Sequence, residues 1–321
     1  MGISNESSER YRLSDANYWP RVGLIIPTLN AGATWTTSLA AIIEQRLKPY
    51  ATLVVDSEST DETASFAQSA GFEVVSIERS KFNHGGTRQW AADRLADCEI
   101  IVYLTQDAIL ANELALSEIV KCFVDSEVAV AYGRQLPHYG ATPIAAYSRI
   151  YNYGPQTQKK NASIAEKIGS KVFFCSNSFA AYRRSVLVDL GGFRGDLILG
   201  EDMEFAARAI KAGYANVYCA AAAVYHSHDY TLKQTFNRYF DIGVFDAENS
   251  WMRERFGSHD GEGVRFVGSE LKYLLREGAA QVPLAMFLTI AKWLGYRLGR
   301  YHRFLPRKLK MALSMSASYW R

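Results

Sequence analysis

Cysteine is scarce in this chain. Its four cysteines, Cys98, Cys122, Cys175 and Cys219, are widely spaced. None forms a C-x-x-C pair, which argues against zinc ribbons and dithiol redox motifs, and a reduced cytosolic compartment is the simplest reading. Long apolar runs are missing as well. No stretch reaches the roughly 18 uncharged apolar residues of a transmembrane helix, and the nearest, residues 279–290, is short and runs into Lys292. The first 20 residues lack the apolar core of a signal peptide and read as a flexible leader. A strong net charge is also lacking: the balance is +3, which gives no argument for nucleic acid, and no aromatic-basic reading module is present. Finally, acidic residues are absent from 278 to 321, where Lys292, Arg297, Arg300, Arg303, Arg307, Lys308, Lys310 and Arg321 are basic.

What is present is an ordinary globular composition of 321 residues, 48% hydrophobic and 21% charged, enough for one large domain or a domain with an appendage. Val22-Gly23-Leu24-Ile25-Ile26, closed by Pro27, reads as a buried parallel strand. Further strands are expected at 52–56, 72–77 and 100–104, with helices at 34–45, 61–70 (Ser59 or Thr60 as cap) and 87–95. This alternation implies a mostly parallel α/β sheet flanked by helices. The second half is less regular: a helix at 114–124, a strand at 128–133, a mobile polar and aromatic segment at 139–169, a strand opening at Phe173, a helix at 202–212 and a strand at 216–225. From Leu232 onward the pattern is helical.

Several strand ends carry polar groups. Thr105-Gln106-Asp107 follows the 100–104 strand, and a carboxylate at the C-terminal tip of a strand sits where α/β sheets bind ligands. A divalent metal bridging a diphosphate needs only one or two protein carboxylates. Asp107 fits that task, although a helix cap or turn explains its position equally well. Asp56 ends the second strand, where a carboxylate accepts from a ribose hydroxyl or a base N–H, while Asp61 reads as capping. Pro27, Thr28 and Asn30 form either a rigid turn or a wall for a flat base. Lys81-Phe82-Asn83-His84-Gly85-Gly86-Thr87-Arg88 combines glycines, a helix start and two cations, a setting for phosphate oxygens or else a glycine turn with a solvated Arg88. Glu201 and Asp202 open a helix, where acids also occur for dipole reasons; here one of them suits a general base. His226 and His228, at i and i+2, project to one side of an extended chain and suit a metal. Residues 283–320 interleave apolar and aromatic side chains with Lys and Arg, as membrane-surface elements do, or else form a packed helix with a solvated basic face.

In this order the motifs Ile25-Ile26-Pro27-Thr28-Leu29-Asn30, Val54-Val55-Asp56-Ser57-Glu58-Ser59-Thr60-Asp61, Gly85-Gly86-Thr87-Arg88, Thr105-Gln106-Asp107-Ala108 and Gly200-Glu201-Asp202 resemble the family 2 glycosyltransferases of GT-A fold. The resemblance spans residues 21–230, with 231–321 as a C-terminal helical extension. The Phe82-to-Arg88 and Thr105-to-Ala108 versions look most like bacterial rhamnosyltransferases, which build O-antigen and related polysaccharides from dTDP-β-L-rhamnose. The resemblance implies an inverting transfer to a saccharide hydroxyl, the acceptor polyprenyl-linked, by a protein peripheral at the inner face of the cytoplasmic membrane. It places Pro27, Thr28 and Asn30 in the nucleoside pocket and Asp56 on base or ribose, with Arg88 and Gln106 near the donor. Asp107 would hold Mg²⁺ or Mn²⁺ as the last acid of the family's DXD motif, completed by His226 or His228. Asp202 would be the base, supported by Glu201. Thr105 stands in place of the first DXD acid. Trp251, Trp293 and the Tyr151–Tyr153 region would meet acceptor or lipid, and the C-terminal helices serve a homo-oligomer as well as a membrane. The alternatives are a UDP-hexose donor, or a non-catalytic membrane-associated scaffold with a degenerate GT-A fold.

Overall fold

The computed structural model describes residues 19–257 and 261–321; the expected leader lies outside them up to residue 18. Strand and helix first alternate as β1 (Val22–Thr28), α1 (Trp35–Ile43), β2 (Ala51–Asp56), α2 (Thr63–Ser69), β3 (Glu73–Ser76), α3 (His84–Arg94) and β4 (Ile100–Leu104). β1 pairs in parallel with β2 and β4, and β2 with β3. Successive side chains of a strand point to opposite faces, so each strand feeds two apolar layers. Ile25, Val55 and Tyr103 join Phe205 on one face, and Leu24, Ile26 and Val102 join Trp35, Leu39 and Phe123 on the other. That double burial explains the continuous rather than alternating apolar runs.

Beyond β4 come β5 (Ile109–Leu110), α4 (Ala115–Lys121), β6 (Val128–Leu136), α5 (Pro143–Asn152), β7 (Gln158–Lys160), α6 (Ala165–Ile168), β8 (Phe179–Arg183), α7 (Arg184–Asp189), α8 (Glu201–Lys211) and β9 (Ala215–Tyr225). The sheet order is β3-β2-β1-β4-β8-β6-β9-β5, with β7 on β9. β8 runs antiparallel to β4 and β6, while β6 and β9 are parallel. The result is an α/β sheet, parallel in its first half and mixed in its second. The C-terminal tips of β1, β2 and β4 share one edge, and the chain leaving β6 and β9 returns there.

Three local expectations are corrected. Residues 139–169 are not a mobile segment: α5 starts at a Thr142 cap, whose Oγ1 accepts from the Ala145 N–H at 3.3 Å, with Pro143 in its first turn. Its Tyr147 is buried against Phe266 and Tyr273, partners too distant in sequence to signal a core. The strand expected from Phe173 begins only at Phe179. Ser59 and Thr60 do not cap α2. Asp61 Oδ1 accepts from the Thr63 N–H at 3.1 Å instead, and Ser59 is spent on Asp56.

The C-terminal region holds α9 (Leu232–Glu248), α10 (Ser250–Phe256), α11 (Glu262–Glu277), α12 (Val282–Arg300) and α13 (Arg307–Leu313). A capping box between Thr231 and Gln234 opens α9. Phe240, Val244, Phe245, Met252 and Phe256 join the same apolar cluster as Tyr103 and Phe205, so α9 and α10 close over the sheet. α9 and α12 cross backbone to backbone. A Cβ at Gly295 would lie 2.3 Å from the Phe236 carbonyl oxygen, and one at Gly299 only 2.0 Å from that of Phe240. Among the described residues no helix is long and apolar enough to cross a membrane.

Candidate active site

The loops after β1 and β2 are stitched together by side chains. Asp56, buried at the end of β2, accepts from Thr28 Oγ1 (2.9 Å), Ser59 Oγ (2.6 Å) and the Ser59 N–H (2.8 Å). A carboxylate offers about four acceptor positions, so three are already filled from within. Asn30 takes a positive φ of 46°. Its N–H donates to Ser59 Oγ and its Oδ1 accepts from the Thr60 N–H, both at 2.8 Å. Gln106 clasps Leu29: Oε1 accepts from the Leu29 N–H at 2.7 Å, and Nε2 donates to the Leu29 oxygen at 3.1 Å. Thr28, Asn30, Asp56 and Gln106 thus form one rigid rim. Pro27 lies inside β1, in register with Val55.

A second group forms where the chain leaves β4 and β9. Asp107 Oδ2 is 3.5 Å from His226 Nε2 and 3.6 Å from His228 Nε2. One ligand atom from each of the three residues lies within 4.8 Å of the others. Burial alone would raise the Asp107 pKa, but the neighbouring His226 and His228 override this and hold the carboxyl below its usual range. Burial, then the neighbouring His226, pushes His228 down to about 4, so its ring is neutral near pH 7 and its lone pair is available. One carboxylate and two imidazoles fit a divalent ion, with open positions left for phosphate oxygens and water. Thr105 contributes no carboxylate, and its hydroxyl is among the groups that help hold the Asp107 carboxyl down.

The third group opens α8. Glu201 Oε1 pairs with Arg88 Nη1 at 2.9 Å, both side chains buried, and accepts from Asn177 Nδ2 at 3.0 Å. Burial would raise the Glu201 pKa, yet the Arg88 guanidinium outweighs it and keeps the acid ionised. Asp202 Oδ2 accepts from the Asn177 N–H and Oδ1 from the Met203 N–H, each at 2.8 Å. Burial, then the charge of Glu201, pushes the Asp202 pKa up to about 6. Two adjacent carboxylates are therefore driven in opposite directions, the pattern that separates an electrostatic partner from a proton acceptor.

Arg88, read from the sequence as a donor-side cation, is turned inward onto Glu201. The glycines before it serve packing rather than an open cradle. Asn83 Oδ1 accepts from the Gly86 N–H at 2.6 Å, and a Cβ at Gly85 would lie 1.9 Å from the Arg194 carbonyl oxygen. Tyr153 is buried, the Tyr151 hydroxyl donates to Glu262 at 2.9 Å, Trp251 is half-buried under the Lys211 ammonium, and Trp293 is exposed. Sequence reasoning missed Asn177, which ties Glu201 to Asp202, and His84, which burial pushes down to about 4 and which lies 3.3 Å from Arg88 Nη1. It also missed Gln135 and Arg149 behind His226. Of these only the His84-Gly85-Gly86 motif gave a signal.

The family model Glycosyl transferase family 2 matches residues 24–191. The chain is 47% identical over 302 residues to the O-antigen chain rhamnosyltransferase WbaN of Salmonella anatum, covering 94% of this chain and 96% of that protein. It is 46% identical over 301 residues, with the same coverage, to RfbN of Salmonella typhimurium, also an O-antigen chain rhamnosyltransferase. The mannosyltransferase PcManGT of Pyrobaculum calidifontis, solved with GDP-Man and Mn²⁺, superposes with a TM-score of 0.58 at 18% identity over 97% of this chain and 92% of that one. TarS of S. aureus, solved with UDP-GlcNAc, gives 0.51 at 17% over 88% and 91%. At such identities these two speak for the fold alone, a GT-A sheet with C-terminal helices. The chain belongs to glycosyl transferase family 2 and is a glycosyltransferase.

Proposed function

We propose that the protein is an inverting rhamnosyltransferase that moves L-rhamnose from dTDP-β-L-rhamnose to a hydroxyl of a saccharide acceptor in O-antigen-type polysaccharide synthesis. The observation that carries the mechanism is the opposite tuning of the acids: Asp107 held ionised beside two imidazoles, and Asp202 raised toward neutrality over an ionised Glu201. Two curated O-antigen rhamnosyltransferases, alike over nearly the whole chain, support the sugar and the pathway.

Asp202 accepts the proton of the acceptor hydroxyl as that oxygen attacks the anomeric carbon from the face opposite the leaving diphosphate. Glu201, fixed by Arg88 and Asn177, supplies the negative charge that keeps Asp202 basic. Asp107, His226 and His228 would hold Mg²⁺ or Mn²⁺, which when bound offsets charge on the departing diphosphate. Thr28, Asn30, Asp56 and Gln106 shape the nucleoside side. We take residues 21–230 as the catalytic unit and 231–321 as the region that brings the enzyme to a lipid-linked acceptor, peripheral at the inner face of the cytoplasmic membrane.

The test is calorimetric titration with dTDP-rhamnose, UDP-glucose and UDP-galactose, with and without Mn²⁺, on wild type and Asp107→Ala. Selective binding of dTDP-rhamnose, strengthened by Mn²⁺ only in wild type, is expected. Selective binding of a UDP-hexose would replace the donor. No binding of any would overturn the enzymatic reading of the site.

A further inference from the structure

We infer that Gln135 fixes the ring tautomer of His226 and thereby points a bare Nε2 lone pair at Asp107, an inference that rests on the metal reading above. Gln135 and His226 are both buried. They come from the C-terminal ends of neighbouring strands, Gln135 facing Val224 across the β6–β9 ladder, and the His226 N–H donates to the Leu136 oxygen at 2.8 Å. One amide atom of Gln135 lies 2.6 Å from Arg149 Nη1 and 2.9 Å from His226 Nδ1. A guanidinium only donates, so the atom facing Arg149 must be the amide oxygen. The amide nitrogen then faces the other way, and it donates there to Ser176 Oγ at 2.9 Å.

An amide oxygen cannot donate. His226 Nδ1 must therefore carry the hydrogen, and in the neutral ring Nε2 carries none. Nε2 is the atom 3.5 Å from Asp107 Oδ2. A partner on the far nitrogen of a ligating imidazole fixes both its tautomer and its ring orientation. Remove the acceptor and the hydrogen is free to sit on Nε2, where it bonds Asp107 and blocks the lone pair. Arg149 is the second member of the relay, because it denies the Gln135 amide its flipped orientation.

The same side chain also joins this cluster to the base. Its amide nitrogen holds Ser176, and the next residue, Asn177, donates its N–H to Asp202. Gln135 is thus a positioning residue with one hand on each centre, and no ligand need touch it.

The experiment titrates Mn²⁺ into full-length protein in the presence of dTDP, comparing wild type with Gln135→Glu and Gln135→Met. Glu keeps an acceptor for His226 and Arg149, whereas Met keeps the length and removes the acceptor. Mn²⁺ affinity is expected to fall about 10–100-fold in Gln135→Met and to stay within a few-fold of wild type in Gln135→Glu. Electron-spin-echo modulation from an imidazole nitrogen on Mn²⁺ should be strong in wild type and Gln135→Glu and weak in Gln135→Met. Equal Mn²⁺ affinity in wild type and Gln135→Met overturns the inference and leaves the metal reading intact, as does a loss in Gln135→Glu as large as in Gln135→Met. A wild type that takes no Mn²⁺ overturns the metal reading and this inference with it. Should Gln135→Met fail to fold, Arg149→Met removes the orientation lock while keeping the amide, and unchanged Mn²⁺ affinity there counts against the relay.

Discussion

In the proposed mechanism Asp202 is the base, and its environment sets a pH limb. Its folded pKa is raised to about 6, so it is protonated below that pH and is a base only above it. Transfer (kcat) should fall as pH drops through about 6 and level off above it. Asp202→Asn should lose roughly 10²–10⁴-fold in kcat with donor affinity near that of wild type; turnover like wild type would remove Asp202 from the base role. Glu201→Gln makes a sharper test. It keeps a group to meet Arg88 and Asn177 but deletes the charge that helps raise Asp202, so the acid limb should move to lower pH. A limb that stays in place would mean that burial alone sets it. The linear reading offered Asp202, Asp107 and the two histidines as candidates, because chemistry-bearing residues at strand and helix ends stand out in it. It could not carry Gln135 or Asn177. Their work is a hydrogen bond to a residue 91 positions away in one case and a buried bridge between two acids in the other.

Among the elements, the early strands were legible because burial on both faces writes continuous apolar runs. β8 was misread at its start and α5 was missed altogether, because their partners are distant: β4 and β6 for the strand, Phe266 and Tyr273 for the helix. The crossing of α9 and α12 was equally hidden, since a glycine in a helix reads only as a weak helix former until the opposing backbone is in place. Two substitutions of identical chemistry should therefore have opposite effects. Gly299→Ala puts a Cβ 2.0 Å from a backbone carbonyl, a clash that a separation of the helices must relieve at about 1–3 kcal/mol. That exceeds the roughly 1 kcal/mol gained in helix propensity. Gly268→Ala, inside α11, meets nothing within 4 Å and should gain up to about 1 kcal/mol. Denaturant unfolding of the two variants checks this, and the same sign for both would refute the close-packed crossing.

At the scale of the whole molecule, one surface is out of keeping with a protein surrounded by water. α12 buries Ala285, Leu288, Ala291, Gly295 and Gly299 against its neighbours and leaves Met286, Phe287, Ile290 and Trp293 exposed, each by half or more. Val264 and Leu275 on α11 and Phe304 beyond α12 are exposed too. The exposed cations Arg297, Arg300, Arg303, Arg307 and Lys308 follow along the same stretch, and no acid occurs from 278 to the end. An apolar face rimmed by cations suits an anionic bilayer. Buried apolar area supplies adhesion, and each Lys or Arg near the leaflet adds about 1 kcal/mol. The cationic part must fail at high ionic strength, since the Debye length shrinks to about 3 Å at 1 M salt. Full-length protein should float with vesicles containing phosphatidylglycerol at low salt, and much less with phosphatidylcholine alone or at 1 M salt. The double variant Phe287→Asp, Trp293→Asp should stay at the bottom of the gradient under every condition. Its thermal unfolding should match wild type, because both side chains already face solvent. Equal flotation of the variant would move the membrane contact off α12, and a wild-type protein that ignores vesicles but sediments as a dimer, with the variant monomeric, would hand this face to a second copy of the chain.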